Sequence, residues 1–418
     1  MERLKGKPDR DLCLLQSVVR EFGPLSRGRI QEITQIRRSA IPGLVRLLQD
    51  QGRLLEAGRV SVRTGRKQVL LRINEASGHV AAVEFDEETV SAGVTDLKPR
   101  LLCRITEPTN LQEGSDGLLR QLISCTHRAL QESGVDPASL IGVGVADPGL
   151  VDSRHGITIT SSTIDFWKQV PLKQKFEREF HVPVAVEAKT RAKAVAERVL
   201  GSGGNSANMI YVDYGAGIGA GVILDGKLRY GQNCALGEFG HTRTMDGGPA
   251  CKCGSFGCLE AVAGARAVEA RYRQALGEAG LPAVIGPANG AGSLVWSVLE
   301  QAARGDKICV NIVAEVGDHL GLGLANLVNL FNPSMVILDT RLGLAGQGLL
   351  HQVTQVVKRQ ALTYTSEHAS LRFGSLGDEA GVLGVALIVI DHHFEVPLLK
   401  PPKLPQLAKD TAAQGGRG

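Results

Sequence analysis

The stretch that decides the fold lies in the middle of the chain, where residues 235–264 read ALGEFGHTRTMDGGPACKCGSFGCLEAVAG. Its candidate metal ligands are His241, Cys251, Cys253 and Cys258. Three thiolates and one imidazole complete a tetrahedral shell around zinc and leave no position for an activated water. Gly254 and Gly257 allow the loop to fold back on itself. The pattern therefore predicts a structural Zn²⁺ ion, whereas the alternative of buried reduced cysteines leaves the C-x-C-G-x-x-G-C spacing to chance.

The overall composition is that of a globular protein. The 418 residues are 43% hydrophobic and 22% charged, which excludes long-range disorder, and the length suggests two or three domains. Eight cysteines make no disulfide framework. The N-terminus has no apolar segment typical of a secretion signal, and the longest apolar run, residues 381–390, is about half of a membrane span. We therefore expect a cytoplasmic protein with no membrane partner.

The net charge of +4 divides unevenly along the chain. Residues 1–75 contain 16 Lys and Arg against 8 Asp and Glu, and the remaining residues contain 31 against 35. A basic N-terminal segment is the electrostatic footprint of a protein that binds the phosphate backbone of DNA. A solvated charged surface is the alternative.

Residues 1–75 have the pattern of a winged helix-turn-helix domain. The spacing of apolar residues predicts helices over 9–21 and 38–51, and Ser26 is placed to cap a helix that ends near Ile33. Pro42 is tolerated only in the first turn of a helix, which favours a start of the third helix a little later than residue 38. A basic, hairpin-like stretch follows Gly52. Three helices followed by a hairpin are the elements of a winged helix-turn-helix. The core residues expected around the last helix are Ile41, Leu44, Leu47 and Leu48.

Residues 1–75, which we call the head, are predicted to bind a double-stranded DNA operator. Arg and Ser side chains at the start of a recognition helix reach base edges and phosphates in the major groove. Cations on a glycine-containing wing reach the minor groove or the backbone. The candidate DNA-binding residues are Arg37, Arg38, Ser39, Arg46, Arg66 and Lys67.

From residue 76 the chain alternates short β segments and helices. A strand pair, a glycine turn and a helix occur twice in this order, which predicts an α/β body of two lobes with a cleft between them. We place the first lobe at residues 76–197, completed by a C-terminal helix at about 380–394. The second lobe, with the zinc loop, covers residues 198–379. Residues 395–418, rich in Pro, Lys and Gly, are predicted to be a mobile tail.

With its head, body and cysteine loop together, the chain resembles the ROK family (repressors, open reading frames and kinases) from about residue 10 to 393. The most specific match is E-x-G-H at 238–241 with the cysteine signature that follows. The segments LIGVGVADPGLVD, VDYGAGIGAGVILDGKLRYG and GLGLANLVNLFNP are also similar. The resemblance implies an actin-like ATPase fold, as in ROK sugar kinases. Members with a winged helix are similar to sugar-responsive repressors, so it also implies a regulator of carbohydrate-related genes.

Three of the four phosphotransfer elements of ROK kinases are altered in this chain. The phosphate loop D-x-G-G-T is replaced by EFDEE at 84–88, whose carboxylates would repel a polyphosphate. The segment E-N-D-A-N, whose Asp is the general base, reads EAKTR at 187–191, and Lys189 cannot accept a proton while it is charged. The glycine run of the second lobe is replaced by DTR at 339–341. We therefore predict no catalytic residue and no kinase activity, with an unusual sugar kinase as the alternative.

The sugar-contacting positions of the family are partly kept. The candidate effector-binding residues are Glu238, Glu260, Lys189 and His241. One hypothesis is an anionic effector, a sugar acid or a phosphosugar, that pairs with Lys189. The other is that Lys189 pairs internally with Glu238 or Glu260 and fills the site, and regulation by a protein partner is a further alternative. Trp167 either lines the cleft or belongs to the core.

A homodimer or homotetramer is implied by the same resemblance. Two heads would then bind half-sites about 34 Å apart. A ligand that changes the angle between the lobes would change the spacing of the heads and so the affinity for DNA.

Overall fold

The computed structural model describes residues 7–61, 67–277 and 294–394, which form two compact units. One unit comprises the residues up to Gly78 together with those from Asp391 onward, and the other runs from His79 to Ile390. The predicted DNA contact Arg66 and the predicted tail 395–418 lie outside the described residues.

The first unit contains three helices and a small antiparallel sheet. Its elements are α1 (Lys7–Phe22), β1 (Leu25–Ser26), α2 (Arg27–Thr34), α3 (Ile41–Asp50), β2 (Leu54–Ser61) and β3 (Lys67–Ile73). The strand order is β1-β3-β2, and β2 and β3 pair as an antiparallel hairpin. Ser26 caps α2 as predicted, because its Oγ accepts a hydrogen bond from the Arg29 backbone N–H at 3.3 Å. This order of elements is that of a winged helix-turn-helix.

The third helix begins later than the sequence predicted. We placed its start at Arg38, whereas α3 begins at Ile41 with Pro42 in its first turn, where the missing N–H of proline is harmless. The prediction that Leu47 belongs to the core was wrong, since its side chain is 45% exposed. At 3.6 residues per turn, Ile41 and Leu48 share the buried face of α3 and Leu47 lies outside it.

The first half of the second unit is built on a five-stranded mixed sheet. Its elements are β4 (His79–Phe85), β5 (Thr89–Asp96), β6 (Leu101–Pro108), α4 (Gly114–Ser133), β7 (Leu140–Asp147), β8 (Leu150–Asp152), β9 (Ile157–Thr160), β10 (Lys168–Val170), α5 (Leu172–Phe180), β11 (Val184–Ala188) and α6 (Lys189–Val199). The strand order is β11-β7-β4-β5-β6. Strands β4, β7 and β11 run parallel, and β5 and β6 are antiparallel to their neighbours. Strands β8 to β10 form a small separate sheet.

The second half repeats this plan. Its elements are β12 (Met209–Tyr214), β13 (Ile218–Leu224), β14 (Lys227–Leu228), α7 (Leu259–Ala263), α8 (Ala265–Leu276), α9 (Leu294–Ala303), α10 (Lys307–Phe331), β15 (Met335–Leu338), α11 (Gln347–Gln360), α12 (Thr363–His368), β16 (Ser370–Phe373) and α13 (Ala380–Phe394). The strand order is β14-β13-β12-β15-β16. In each half, the first strand (β4 or β12) lies in the middle of the sheet. The next two strands in sequence lie on one side of it, each antiparallel to its neighbour, and the last two lie on the other side and run parallel to it. The prediction of two related α/β lobes is confirmed.

Helix α10 is, within the described ranges, the one helix that is long and apolar enough to span a membrane. Its residues Leu320, Leu324 and Val328 are fully buried and pack in the core of the second lobe with side chains of β12 and β15.

Helix α13 fixes the position of α6. A Cβ atom on Gly384 would lie 1.9 Å from the backbone oxygen of Ala192, so only glycine allows the two helices to cross this closely. The last residues of α13 belong to the first unit, where Arg20 Nη2 donates to Asp391 Oδ1 at 2.5 Å. The first turn of α6, held in this way, forms part of the site described next.

Candidate functional site

A polar cavity of about 210 Å³ lies between the two sheets of the second unit. Turns at the ends of strands from both lobes line it, as parallel strands that end at a common edge require. The lining includes the β4–β5 turn, the first turn of α6, the β12–β13 turn, Glu238, His241, Glu260, Trp296 and Arg341. All four predicted effector-binding residues lie in this lining.

Lys189 opens α6 and reaches the β4–β5 turn. Its Nζ donates to Asp86 Oδ2 at 2.8 Å, and Asp86 Oδ1 accepts from the backbone N–H groups of Glu88 and Thr89 at 2.9 Å each. Burial disfavours the charge on Asp86, but Lys189 outweighs burial and holds the pKa of this carboxyl well below its usual range. Lys189 is thus paired internally, and its partner is Asp86 instead of either of the two glutamates that we had considered.

A second lysine in α6 makes a similar connection to the other lobe. Lys193 Nζ donates to Asp213 Oδ1 at 2.8 Å and to Asp339 Oδ2 at 3.3 Å. Arg341 Nε donates to Asp339 Oδ1 at 3.2 Å, and the guanidinium lies 4.3 Å from the ring centroid of Trp296. Sequence reasoning missed this network. The available signal was the spacing of two lysines four residues apart in KTRAK.

Arg191, the last residue of the segment EAKTR, is anchored inside the protein. Its side chain is 4% exposed. Its Nε donates to Glu187 Oε1 at 2.6 Å, its Nη1 to the Cys234 carbonyl at 2.8 Å and its Nη2 to Ser153 Oγ at 3.2 Å. The guanidinium is therefore committed to the protein itself.

The two retained glutamates keep acceptor oxygens in the cavity. Glu260 Oε2 accepts from the Ile218 backbone N–H at 3.1 Å. Burial raises the pKa of Glu238, and Glu260 acts in the same direction while His241 and Arg191 oppose it. In the described part of the chain no salt bridge joins either glutamate to Lys or Arg. These carboxyl groups can accept hydrogen bonds from ligand hydroxyls.

Trp167 belongs to the core. Its side chain is fully buried, and its Nε1 donates to Asp147 Oδ2 at 2.7 Å. Its ring packs edge-on against Phe85, with the centroids 5.3 Å apart.

Ionisation of the Glu84 side chain makes the folding stability depend on pH. Its Oε2 is buried without a hydrogen-bond partner among the described residues, and burial raises its pKa from 4.5 to about 7 against the attraction of Lys193 and Lys189. An acid whose pKa is raised by folding binds its proton more tightly in the folded state. The contribution of Glu84 to stability is therefore greatest below pH 4.5 and falls by about 3 kcal/mol as the pH rises past 7.

We expect Glu84→Gln to remove this contribution, because the amide cannot ionise. Denaturant unfolding between pH 5 and pH 8 measures the slope, and the exposed Glu132→Gln serves as the control that keeps the wild-type slope. An unchanged slope in Glu84→Gln would assign the pH dependence to other groups.

The four predicted metal ligands converge in one cluster. The candidate ligand atoms of His241, Cys251, Cys253 and Cys258 all lie within 4.8 Å of one another. His241 Nδ1 is 3.5 Å from Cys251 Sγ, and the Sγ atoms of Cys253 and Cys258 are 3.7 Å apart. The cluster can hold a metal ion.

Local backbone geometry brings the cysteines together. The Cys251 N–H donates to the Ser255 carbonyl at 2.8 Å, and Gly254 has a φ of +89° that closes this turn. Gly257 has a φ of +68°, and a Cβ there would lie 1.8 Å from the Met245 carbonyl oxygen. The predicted role of both glycines in folding the loop back is confirmed.

The described DNA-binding candidates lie on the surface of the first unit. Arg37, Arg38 and Ser39 are exposed in the turn before α3, and Arg46 is exposed on α3 itself. Lys67 is exposed at the start of β3. These cations surround the beginning of α3 and the hairpin, which are the elements that contact DNA in winged helix-turn-helix domains.

Two sheets of equal strand order facing a polar cleft define the actin-like fold of sugar kinases. The chain also contains a cysteine loop and an N-terminal unit of three helices and a small antiparallel sheet. The chain belongs to the ROK family, whose family model matches residues 82–392.

The relatives of the chain include both regulators and kinases. It is 26% identical to the xylose repressor of Caldicellulosiruptor bescii over 89% of this chain and 93% of the repressor. The crystal structure of a ROK family transcriptional regulator, a homologue of the Escherichia coli MLC protein, shares the fold with a TM-score of 0.77 at 23% identity and covers 93% of this chain and 97% of its own. A ROK family glucokinase from Streptomyces griseus, solved with glucose and AMPPNP, has a TM-score of 0.65 at 29% identity and covers 74% of this chain and 99% of its own.

Proposed function

We propose that this protein is a cytoplasmic DNA-binding transcriptional repressor of carbohydrate-related genes, released by a sugar that binds in the cleft. The observation that carries the proposal is the extent of similarity. The xylose repressor matches 89% of the chain, whereas the glucokinase matches 74%. The part of the chain that the glucokinase does not match is about as long as the basic first unit. The exposed arginines of this unit suit DNA phosphates and base edges.

The site supports a function without phosphoryl transfer. Lys189 stands where ROK kinases have the general base, and its ammonium is paired with Asp86, so it has no free base to offer a sugar hydroxyl. Glu87 and Glu88 line the cavity where the phosphate loop of the kinases lies. Carboxylates in this position oppose the binding of a polyphosphate.

The charges of the cleft favour a neutral sugar over a sugar acid or a phosphosugar. Lys189 and Arg191 already have carboxylate partners, and Arg341 pairs with Asp339. Glu238 and Glu260 lack a cationic partner within the described ranges and suit hydroxyl donors instead. The cavity of about 210 Å³ is small for a ligand pocket, which favours a small ligand such as a monosaccharide over a larger one.

Calorimetric titration of the full chain with neutral aldoses and with the corresponding sugar acids tests the effector class. We expect a neutral aldose to bind, and Glu238→Gln and Glu260→Gln each to weaken binding about 10-fold or more, since each removes a charge-assisted acceptor. Glu132→Gln, on the exposed face of α4, is the matched control. Tighter binding of the acids than of the parent sugars would contradict the proposal.

We further propose that the cysteine cluster holds a structural Zn²⁺ ion. His241 would be both a zinc ligand and part of the cavity lining, so the metal would orient the segment that carries Glu238. A homodimer would present two heads to a palindromic operator, and a sugar in the cleft would release the operator by changing the spacing of the heads. A coupling of about 1–3 kcal/mol is enough to alter operator occupancy.

Genome-wide mapping of bound DNA tests the regulatory function as a whole. We expect binding sites upstream of genes for carbohydrate uptake or breakdown, and loss of binding when the effector sugar is present. ATP-dependent phosphorylation of a sugar by the pure protein would instead identify it as a kinase.

A further inference from the structure

Two lysines on one face of helix α6 form ion pairs with carboxylates on opposite sides of the cleft. Lys189 and Lys193 lie four residues apart, so their side chains leave the helix on the same face. Lys189 reaches Asp86 in the turn between two strands of the first sheet, at 2.8 Å. Lys193 reaches Asp213 at the end of β12 and Asp339 after β15, both in the second sheet, at 2.8 and 3.3 Å.

We propose that Lys189 and Lys193 form an ionic bridge through α6 that holds the two sheets at a fixed separation, so that the cleft is preformed before any ligand enters. The proposal concerns the second unit alone and does not depend on its binding a sugar or on the head binding DNA.

The burial of the bridge makes it a strong constraint. The side chains of Lys189 and Lys193 are 12% and 8% exposed, and those of Asp86, Asp213 and Asp339 are 20%, 11% and 3% exposed. Charges at this depth are poorly screened by salt, and separating a pair would leave each charge uncompensated in a region of low dielectric constant. Any motion that moves one sheet away from the other must break either the ion pair of Lys189 or those of Lys193.

Neighbouring contacts reinforce both ends. At the second sheet, Thr190 Oγ1 donates to Asp213 Oδ2 at 3.2 Å, and Arg341 Nε donates to Asp339 Oδ1. At the first sheet, the two backbone N–H groups bound to Asp86 Oδ1 hold its carboxylate in place. The bridge is thus built of groups that are themselves oriented by the protein.

Hydrogen exchange measured on the full chain, without sugar or DNA, tests the bridge. Asp86→Asn removes the charge but keeps a carbonyl oxygen for the two backbone N–H groups of the turn. We expect the amides of the β12–β13 turn and of the strand ends beside it, residues 213–219, to exchange about tenfold faster in this variant, because an open cleft exposes them to water. This turn contains no substituted residue and belongs to the other lobe.

Asp96→Asn is the matched control. Asp96 is buried, and its Oδ1 also accepts two backbone N–H bonds, from Lys98 and Arg100 at 2.8 and 3.0 Å. No salt bridge joins it to a lysine or arginine in the described part of the chain, so exchange at residues 213–219 should stay at the wild-type rate in this variant.

The double variant Asp86→Asn/Lys189→Met separates the bridge from a simple loss of stability. It leaves no unpaired charge at this end of α6, so it should fold even if Asp86→Asn does not. A faster exchange at 213–219 in the double variant supports the bridge. Exchange that rises only at 86–89, or that is unchanged at 213–219, would show that the Lys189 pair is local and would overturn the proposal.

Discussion

Replacing Cys258 with serine is expected to release the metal and to unfold the loop that shapes one wall of the cleft. The Cys258 thiol is fully buried in the cluster. Without its sulfur, only three of the four metal ligands would remain, and the tetrahedral shell would be incomplete. Structural zinc sites contribute about 10–16 kcal/mol of apparent binding free energy in small peptides, and this energy is also folding energy. We expect elemental analysis to show zinc falling from about one ion per chain towards zero.

The loss should extend beyond the metal. Because the loop carries Glu238 and Glu260 near its two ends, sugar binding should be lost together with zinc. We also expect the melting temperature to fall by about 10 °C or more, since even domains of about 150–250 residues lose only about 2–4 °C per kcal/mol and the loss here is several times larger. Cys125→Ser, at a buried thiol in α4 outside the cluster, should retain the zinc. Wild-type preparations without zinc, or a Cys258→Ser protein with full zinc content, would refute the assignment.

Replacing Arg37 and Arg38 together with alanine is expected to weaken operator binding by a factor of about 30 to 10⁴. Both side chains are exposed immediately before α3, the helix expected to enter the major groove. Each lost contact to a base edge is worth about 1–3 kcal/mol, and each lost phosphate contact lowers the salt slope of binding by about one. Titration of operator DNA at several salt concentrations measures both effects.

The matched control replaces Lys358 and Arg359, two exposed cations that are adjacent to each other at the end of α11. Their replacement by alanine changes the net charge by the same amount. It should leave affinity nearly unchanged if recognition depends on the turn before α3. Equal losses in both double variants would mean that binding follows the overall charge of the protein.

Much of the fold was predictable because its signals are local. The cap at Ser26, the helices of the head and the two repeats of strand pair, turn and helix all follow from spacings of a few residues. The start of α3 was predicted three residues early, since a helical pattern of apolar residues does not show where the first turn begins. Leu47 was misplaced for a related reason: an apolar residue can sit at the edge of a helix face without joining the core.

The cluster of three cysteines and one histidine shows what the sequence by itself determined. Its four candidate ligands lie in one loop, so their spacing and two glycines were sufficient to predict that they converge. The absence of a kinase base was likewise predicted from a single position, because Lys189 stands in the segment EAKTR where the resemblance places that base.

Only the tertiary structure decided what Lys189 and its neighbours do. Asp86 lies 103 residues before Lys189, and Asp339 lies 146 residues after Lys193. The pairing of β7 with β4 and with β11, and of β12 with β15, brings these carboxylates to α6. An ion pair between distant segments depends on which strands are neighbours, and charge alone does not select among several possible partners. The sequence therefore defined the chemistry of the cleft, and strand order determined which charges neutralise one another within it.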